Sequence, residues 1–454
     1  MKKILIIVAV VIFILLGIYT DLTTLENVSI VLMIYFFLEF VNDLGNRIVL
    51  LDLAILLAIF TCLIMPIIFY HQYTRENRLA ELWVKYMPIE SNVYLSYAVP
   101  AVIAMTIGFR IPLGKLRINN NPKIYIENVK KRLYKDSNLG LILISIGVIS
   151  GLLDFLSPSD LKQIFYLLGH LTFVGVFYVI YSPSKNKKFI IPGVILLMFG
   201  QIIATGMFGE FIYILACSLV LMLLGSKITF RGKLFYCVSG IIFVILIQSI
   251  KADYRQRSWL ENSGKADPLY FAELISDRVT DPSSVLDPNK LFFISVRMNQ
   301  GWLVAMTMDR VPRKFPFAYG ETIWTSAAAS VVPRILWPDK PKVGGTYNLK
   351  RFWGYDIRGY SMNIGALGEA YGNFGVMGGI TFMFFYGLFF NLILSVILKM
   401  AEKRPTLLLW LPFLFFYAIG VETDLLTTMG SLIKGLIFTW LIFKVFQTGF
   451  RIEL

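Results

Sequence analysis

The sequence predicts an all-α polytopic membrane protein of about 12 transmembrane helices, with one large outer loop carrying short amphipathic or re-entrant helices. Three observations predict it. The mean hydropathy is +0.68, with 57% hydrophobic and only 16% charged residues, which excludes a water-soluble domain of 454 residues. Apolar runs recur with lengths near the ~20 residues that a helix needs to cross about 30 Å of hydrocarbon. Lys and Arg between those runs alternate in density from one loop to the next. No alternating ten-residue strand pattern appears, so a helical bundle satisfies the backbone in lipid and a barrel does not.

In chain order the runs are Ile4–Tyr19, Val28–Val41, Ile48–Tyr70, Val93–Phe109, Leu139–Leu156, Ile164–Tyr181, Phe189–Met207, Phe211–Gly225, Leu234–Ile250, Phe374–Lys399, Thr406–Gly420 and Thr428–Phe446. They divide the chain into nine spans over 1–250, a polar segment over 251–372 and three spans over 373–454. With Lys2 and Lys3 on the cytoplasmic side, the inner loops and termini hold 21 Lys and Arg, and the short outer loops hold four, namely Arg75, Arg78, Lys85 and Lys162. Both termini are then expected inside and the 251–372 segment outside. Two lysines precede the first run as in a secretory signal, but Gly17-Ile18-Tyr19-Thr20 is no small-x-small cleavage site, so this run reads as a retained helix.

The formal charge of +14 reports this topology; the basic residues form no continuous patch, and no nucleic-acid partner is implied. Cys62, Cys217 and Cys237 all fall in predicted helices, and the outer segment has no cysteine for a disulfide or thiolate metal site. No cofactor or metal is expected. Within the runs, Glu39 and Asp52 are placed to snorkel toward cytoplasmic water. His170 reads as a hydrogen-bonded bundle residue, and Lys434 either reaches outward or meets a lipid phosphate between helices.

The outer segment holds 16 Lys and Arg against 12 Asp and Glu, which suits an anionic ligand. Leu291–Asp309, broken by Arg297, Asn299 and Gln300, and Glu321–Val332 read as amphipathic or re-entrant helices pressed on the bundle. Between them and the tenth span, three prolines make Pro333-Arg334-Ile335-Leu336-Trp337-Pro338-Asp339-Lys340-Pro341 a rigid stretch that presents Arg334 and Lys340.

That stretch, together with Ser295-Val296-Arg297-Met298-Asn299-Gln300-Gly301, Tyr319-Gly320-Glu321-Thr322 and Gly368-Glu369-Ala370-Tyr371-Gly372-Asn373-Phe374-Gly375, resembles the Wzy-type O-antigen polymerases of bacterial surface polysaccharide synthesis. The resemblance covers chiefly residues 251–379; the first 250 residues match only in hydropathy. Arg334 to Gly345 also fits an Arg-x10-Gly spacing found in some members, a spacing that chance supplies in a chain with 34 glycines.

The resemblance implies a fold similar to GT-C-type glycosyltransferases, in the bacterial inner membrane. The implied activity transfers a growing glycan from undecaprenyl pyrophosphate onto an incoming lipid-linked oligosaccharide at the outer face. The partners implied are that lipid-linked oligosaccharide, membrane lipid, and a lipid flippase and chain-length regulator of the same pathway. Departure of a lipid pyrophosphate builds negative charge that guanidinium and ammonium groups stabilise. Arg297, Arg334 and Lys340 are the first candidates for that role, with Arg255 and Arg358 second. There is no Asp-x-Asp pair for a nucleotide-sugar metal site. For an acceptor base the candidate is Glu369, flanked by Gly368 and Gly372, or else it is an interfacial carboxylate paired with an arginine; Glu321, Asp339 and Glu210 are weaker rivals.

Three other readings stay open. O-antigen ligases use the same donors but rely on a histidine in the large outer loop, and in this chain the only histidines are His71 and His170. Another glycosyltransferase class places an essential Asp after the first span, where Asp21 stands. A lipid-linked oligosaccharide flippase or other transporter is the third, although no paired repeat of interrupted helices is visible.

Overall fold

The computed structural model describes residues 2–113, 122–154, 158, 161–206, 208–261, 267–356 and 361–454. Among the described residues each of the twelve apolar runs falls mainly on helix, and there is no β-strand. In chain order the helices are α1 (Lys2–Tyr19), α2 (Thr24–Asp43), α3 (Leu50–Gln72), α4 (Ser91–Arg110), α5 (Pro122–Lys135), α6 (Leu139–Asp154), α7 (Lys162–Tyr181), α8 (Lys187–Thr205), α9 (Phe208–Met222) and α10 (Phe230–Ser258). The loop helices follow: α11 (Pro268–Thr280), α12 (Pro288–Met298), α13 (Gln300–Arg310), α14 (Glu321–Val331) and α15 (Thr346–Trp353). The chain closes with α16 (Gly365–Lys403), α17 (Pro405–Ile419) and α18 (Leu425–Gly449).

The protein is a helical membrane protein. Among the described residues seven helices (α2, α3, α4, α7, α10, α16 and α18) are long and apolar enough to cross a bilayer. An eighth crossing is formed if α5 and α6, bent by 83° at their junction, make one broken span. The apolar helices Lys3–Tyr19, Ile212–Met222 and Pro405–Ile419 are shorter. The sequence expectation of about twelve spans thus corresponds to helices of unequal length, because apolar runs broken by Gly, Pro or a bend form helices too short to cross alone.

The framework around the loop is the α4–α16 pair. A Cβ on Gly108 would stand 2.2 Å from the Phe384 carbonyl oxygen, and one on Gly387 2.2 Å from that of Met105, so only glycine lets these backbones approach so closely. Tyr97 donates to the Leu367 carbonyl at 2.7 Å, and Asn391 donates to the carbonyls of Gly108 and Ile111. These bonds fix both ends of the contact. In α3 a π-turn at Phe60–Ile64 accompanies a hydrogen bond from Tyr94 to the Cys62 carbonyl at 2.6 Å. Gly301, at the start of α13, lies against the same Tyr94 and against Pro66, where a Cβ would meet them at 2.5 and 2.2 Å. Gly375 (φ +67°) kinks α16 and separates a first leg, which begins at Gly365, from the remainder of the helix.

At the end of the bundle away from the loop, two expectations are corrected. Glu39 and Asp52 do not snorkel into water; they are 2% and 5% exposed. Arg110 bonds both carboxylates, reaching Glu39 at 2.6 Å, and Arg47 pairs with Asp52 at 2.6 Å and Asp43 at 2.8 Å. Interior carboxylates are held this way because a guanidinium returns the interaction that water would have given. The Leu291–Asp309 run, whose apolar pattern Arg297, Asn299 and Gln300 interrupt, is divided between two helices: α12 ends at Met298, and the Asn299 side chain caps α13 by accepting from the Trp302 amide at 3.0 Å.

Candidate functional site

Two of the four motifs meet directly. Glu369, on the first leg of α16, is fully buried, and its carboxylate accepts from the Thr322 hydroxyl at 2.8 Å and the Leu425 amide at 3.0 Å. Asn373, one turn on, donates to the Thr322 hydroxyl at 2.7 Å and to the Glu369 carbonyl at 2.8 Å, and accepts from the Gly320 amide at 2.9 Å. Tyr319 and Gly320 take positive φ to start α14 there. Gly372 leaves room for the Phe352 ring, which a Cβ would meet at 2.6 Å. One carboxylate and one amide thus tie α14, α16 and α18 together, with both carboxylate oxygens of Glu369 engaged.

The cations fall into two groups. In the first, Lys251 and Arg255 stand one turn apart on α10, and Arg297 stands in the last turn of α12, which packs against α10. Arg297 acts electrostatically on both of the others. Arg255 donates Nε to the Gly206 carbonyl at 2.8 Å, whereas Arg297 makes no hydrogen bond or ion pair among the described residues. Arg297 is exposed at its surface, and the partial desolvation of its guanidinium holds it below its ordinary pKa. Glu422 acts on Lys251 of this group and accepts from the Tyr213 hydroxyl at 2.6 Å.

The second group is built on the proline-rich stretch. Arg334 donates to the Pro338 carbonyl at 3.0 Å, and Lys340 donates to the carbonyls of Ala329 and Val332, both at 2.9 Å, filling the open C-terminus of α14. Burial, then the Lys434 and Arg334 charges, hold the Lys340 ammonium below its ordinary pKa. Lys434, on α18, opens into a groove of about 410 Å³ between α7 and the α17–α18 pair, lined among others by Lys162, Tyr166, His170, Phe413 and Phe416. Of the two placements open to Lys434 from sequence, the interhelical groove is the one observed. His170 holds Nδ1 against the Tyr166 carbonyl at 2.8 Å, as a bundle histidine does.

The structure therefore joins Arg255 to Arg297 and Arg334 to Lys340, and none of these four is among the hydrogen-bond partners of Glu369. Glu321 is taken by Arg351 at 2.9 Å, Asp339 is exposed, and Asp21 is exposed beside α1. Arg358 and the Glu210 side chain lie outside the described residues. Sequence reading misses Glu422 and Asp424, in the short link between α17 and α18. Asp424 caps α18, accepting from Thr427 at 2.9 Å, and its neighbour Leu425 bonds Glu369, while Glu422 faces Lys251. The signal that could have found them is a pair of acids at Gly420-Val421-Glu422-Thr423-Asp424 between apolar runs, which a count of Lys and Arg alone overlooks. No group of three or more His, Cys, Asp or Glu among the described residues is placed to hold a metal ion.

Residues 113–447, well over half of the chain, match a family model described as a domain of unknown function, DUF8712. No curated protein and no solved structure matches the chain.

Proposed function

We propose that this chain, which belongs to the DUF8712 family of unknown function, is a membrane glycosyltransferase that polymerises oligosaccharides carried on lipid pyrophosphate. The observation that carries the reading is the gathering of the first cationic group: Arg297 acts on both Lys251 and Arg255, and Glu422 acts on Lys251. Three neighbouring cations, two of them half-buried, suit a polyanion such as a pyrophosphate, and arginine's planar donors match its oxygens. The second group, Arg334, Lys340 and Lys434, adjoins an apolar groove, which suits a lipid whose headgroup is anionic and whose tail is hydrocarbon. A polymerase of this kind has two such substrates, a donor and an acceptor, and two such groups lie among the described residues.

In the reaction, an acceptor hydroxyl oxygen attacks the anomeric carbon of the growing chain. The bond from that carbon to the pyrophosphate oxygen breaks, and its electron pair leaves with the lipid pyrophosphate. The first cationic group offsets the charge that develops on the leaving oxygen. The hydroxyl proton passes to a carboxylate, and Glu422, half-buried beside Lys251, is better placed for it than Glu369, whose oxygens already hold Thr322 and Leu425. Glu369 is a positioning residue in this reading: it fixes the link that carries Glu422.

The same reading puts the loop helices at the outer face of a bacterial inner membrane, with both termini cytoplasmic and the shorter apolar helices completing about twelve spans in a layout resembling GT-C-type enzymes. A lipid flippase supplies the substrate and a chain-length regulator acts on the product. The test is release of undecaprenyl pyrophosphate, followed by phosphorus NMR, when purified protein in liposomes is given an undecaprenyl-pyrophosphate-linked repeat unit. Release that depends on Arg297 supports the assignment, and no release across several repeat units refutes it.

A further inference from the structure

A second groove, of about 650 Å³, opens beside the turn that follows Arg297, and the transfer chemistry leaves it without a role. Its walls are aromatic. Trp302 meets Trp353 edge-on at 6.0 Å, Trp353 meets Tyr355 edge-on at 6.0 Å, and Trp83 stands across from them, 53% exposed. Polar groups are interleaved with the rings. The Lys85 ammonium lies 3.6 Å over the Trp302 ring, and Asp356 lines the rim. Arg310 donates to the Trp353 carbonyl at 2.7 Å and to the Tyr355 hydroxyl at 2.6 Å, which orients that ring. The Trp302 ring N–H is buried with no acceptor among the described residues.

We propose that this groove is an oligosaccharide-binding subsite. Sugar rings present apolar C–H faces bounded by hydroxyls, so they match aromatic faces interleaved with donors and acceptors. Lys85, Asp356 and the Tyr355 hydroxyl stand among the rings, and a sugar's hydroxyls can address them where a hydrocarbon tail cannot, so the occupant is a glycan. The Trp302 N–H, which has no acceptor among the described residues, is a donor that a sugar hydroxyl reaching it would satisfy. Trp302 follows Arg297 by five residues, and Gln300, between them, donates to the carbonyl of Asn363, the neighbour of the groove residue Met362. The groove is thereby fixed relative to the first cationic group, where a glycan attached to a pyrophosphate would extend. This last placement rests on the polymerase reading; glycan binding itself does not.

The experiment uses the full chain in nanodiscs. The probe is lipid-free oligosaccharide, cut from the producing cell's own surface polysaccharide, observed by saturation-transfer NMR and titration. Binding is expected in the wild type, roughly tenfold weaker in Trp83→Ala and Tyr355→Ala, and weakened less in Trp83→Phe, which keeps an aromatic face. Trp83 and Tyr355 are exposed, so their variants should keep the wild-type melting temperature. Arg297→Ala should bind the lipid-free probe normally. Absence of binding, or binding indifferent to Trp83 and Tyr355, overturns the proposal. Binding at this groove in a protein that releases no lipid pyrophosphate sustains the subsite and removes the polymerase reading instead.

Discussion

Glu369 accepts a hydrogen bond from the backbone amide of Leu425, 56 residues further on, and that bond couples the loop's return helix to the link carrying Glu422. The relationship gives the buried carboxylate a job that needs no contact with substrate, and it separates two kinds of acidic residue by their expected mutant behaviour.

Glu369→Ala leaves the Thr322 hydroxyl and the Leu425 amide without their partner in the interior, at a cost of about 1–3 kcal/mol for each orphaned group. A lower melting temperature in detergent is expected, with activity lost in step. Glu369→Gln keeps one oxygen acceptor and should retain more of both. Glu422→Gln should instead keep the wild-type melting temperature and lose turnover. If the two glutamine variants behave in the reverse sense, Glu369 is the base and Glu422 the positioning residue.

Arg297→Ala removes a guanidinium that makes no hydrogen bond among the described residues, so stability should change little. Turnover should fall on the order of 10- to 100-fold, the scale of a charge-assisted phosphate contact. Arg297→Lys restores the charge but loses the planar fork and should recover activity only in part. Steady-state kinetics with melting curves for both variants check this.

Lys340 yields a pH dependence. Its ammonium is disfavoured by burial and by Lys434 and Arg334, so in the folded protein it loses its proton below the ordinary lysine value of about 10.4. The unfolded chain then holds more protons in the window between the lowered pKa and that ordinary value, and stability from this group rises with pH there. Binding of an anion runs the opposite way, because it favours the charged form. Apparent affinity for the lipid-linked substrate should therefore weaken as pH rises through the lowered value, and Lys340→Arg should abolish that weakening. A titration of KM from neutral to alkaline pH reads it.

Gly387→Ala places a Cβ 2.2 Å from the Met105 carbonyl oxygen and must push α4 and α16 apart. Overpacking of this kind costs about 1–3 kcal/mol, and the measured melting temperature should drop. Gly193→Ala, where nothing lies within 4 Å of the new atom, serves as the control with no comparable loss.

Local and bulk features are legible in the sequence because they depend on composition and short spacing. The apolar runs mark the helices, and Pro333 to Pro341 marks a turn whose Arg334 and Lys340 do sit together, whereas the division of Leu291–Asp309 at Asn299 is not marked as a helix boundary. Pairings over long separations are not legible. Nothing near Glu39 or Asp52 in the chain announces Arg110, 71 and 58 residues away, so two buried ion-paired carboxylates look like residues free to reach water. The grouping of Lys251 with Arg297 and Glu422 likewise depends on how α10, α12 and the α17–α18 link pack, which no short spacing encodes. Whether an apolar run crosses the membrane also depends on bends, as the 83° angle between α5 and α6 illustrates.

Polymerisation on lipid pyrophosphate stands or falls on product length. Purified protein in liposomes receives an undecaprenyl-pyrophosphate-linked repeat unit, and the glycan is resolved on a gel for the wild type, Arg297→Ala and Arg334→Ala. A polymerase gives a ladder from the wild type that collapses to the starting unit in Arg297→Ala and shortens in Arg334→Ala, with all three proteins folded. Movement of the intact repeat unit between leaflets, with no ladder from any repeat unit supplied, would contradict polymerisation and identify a transporter.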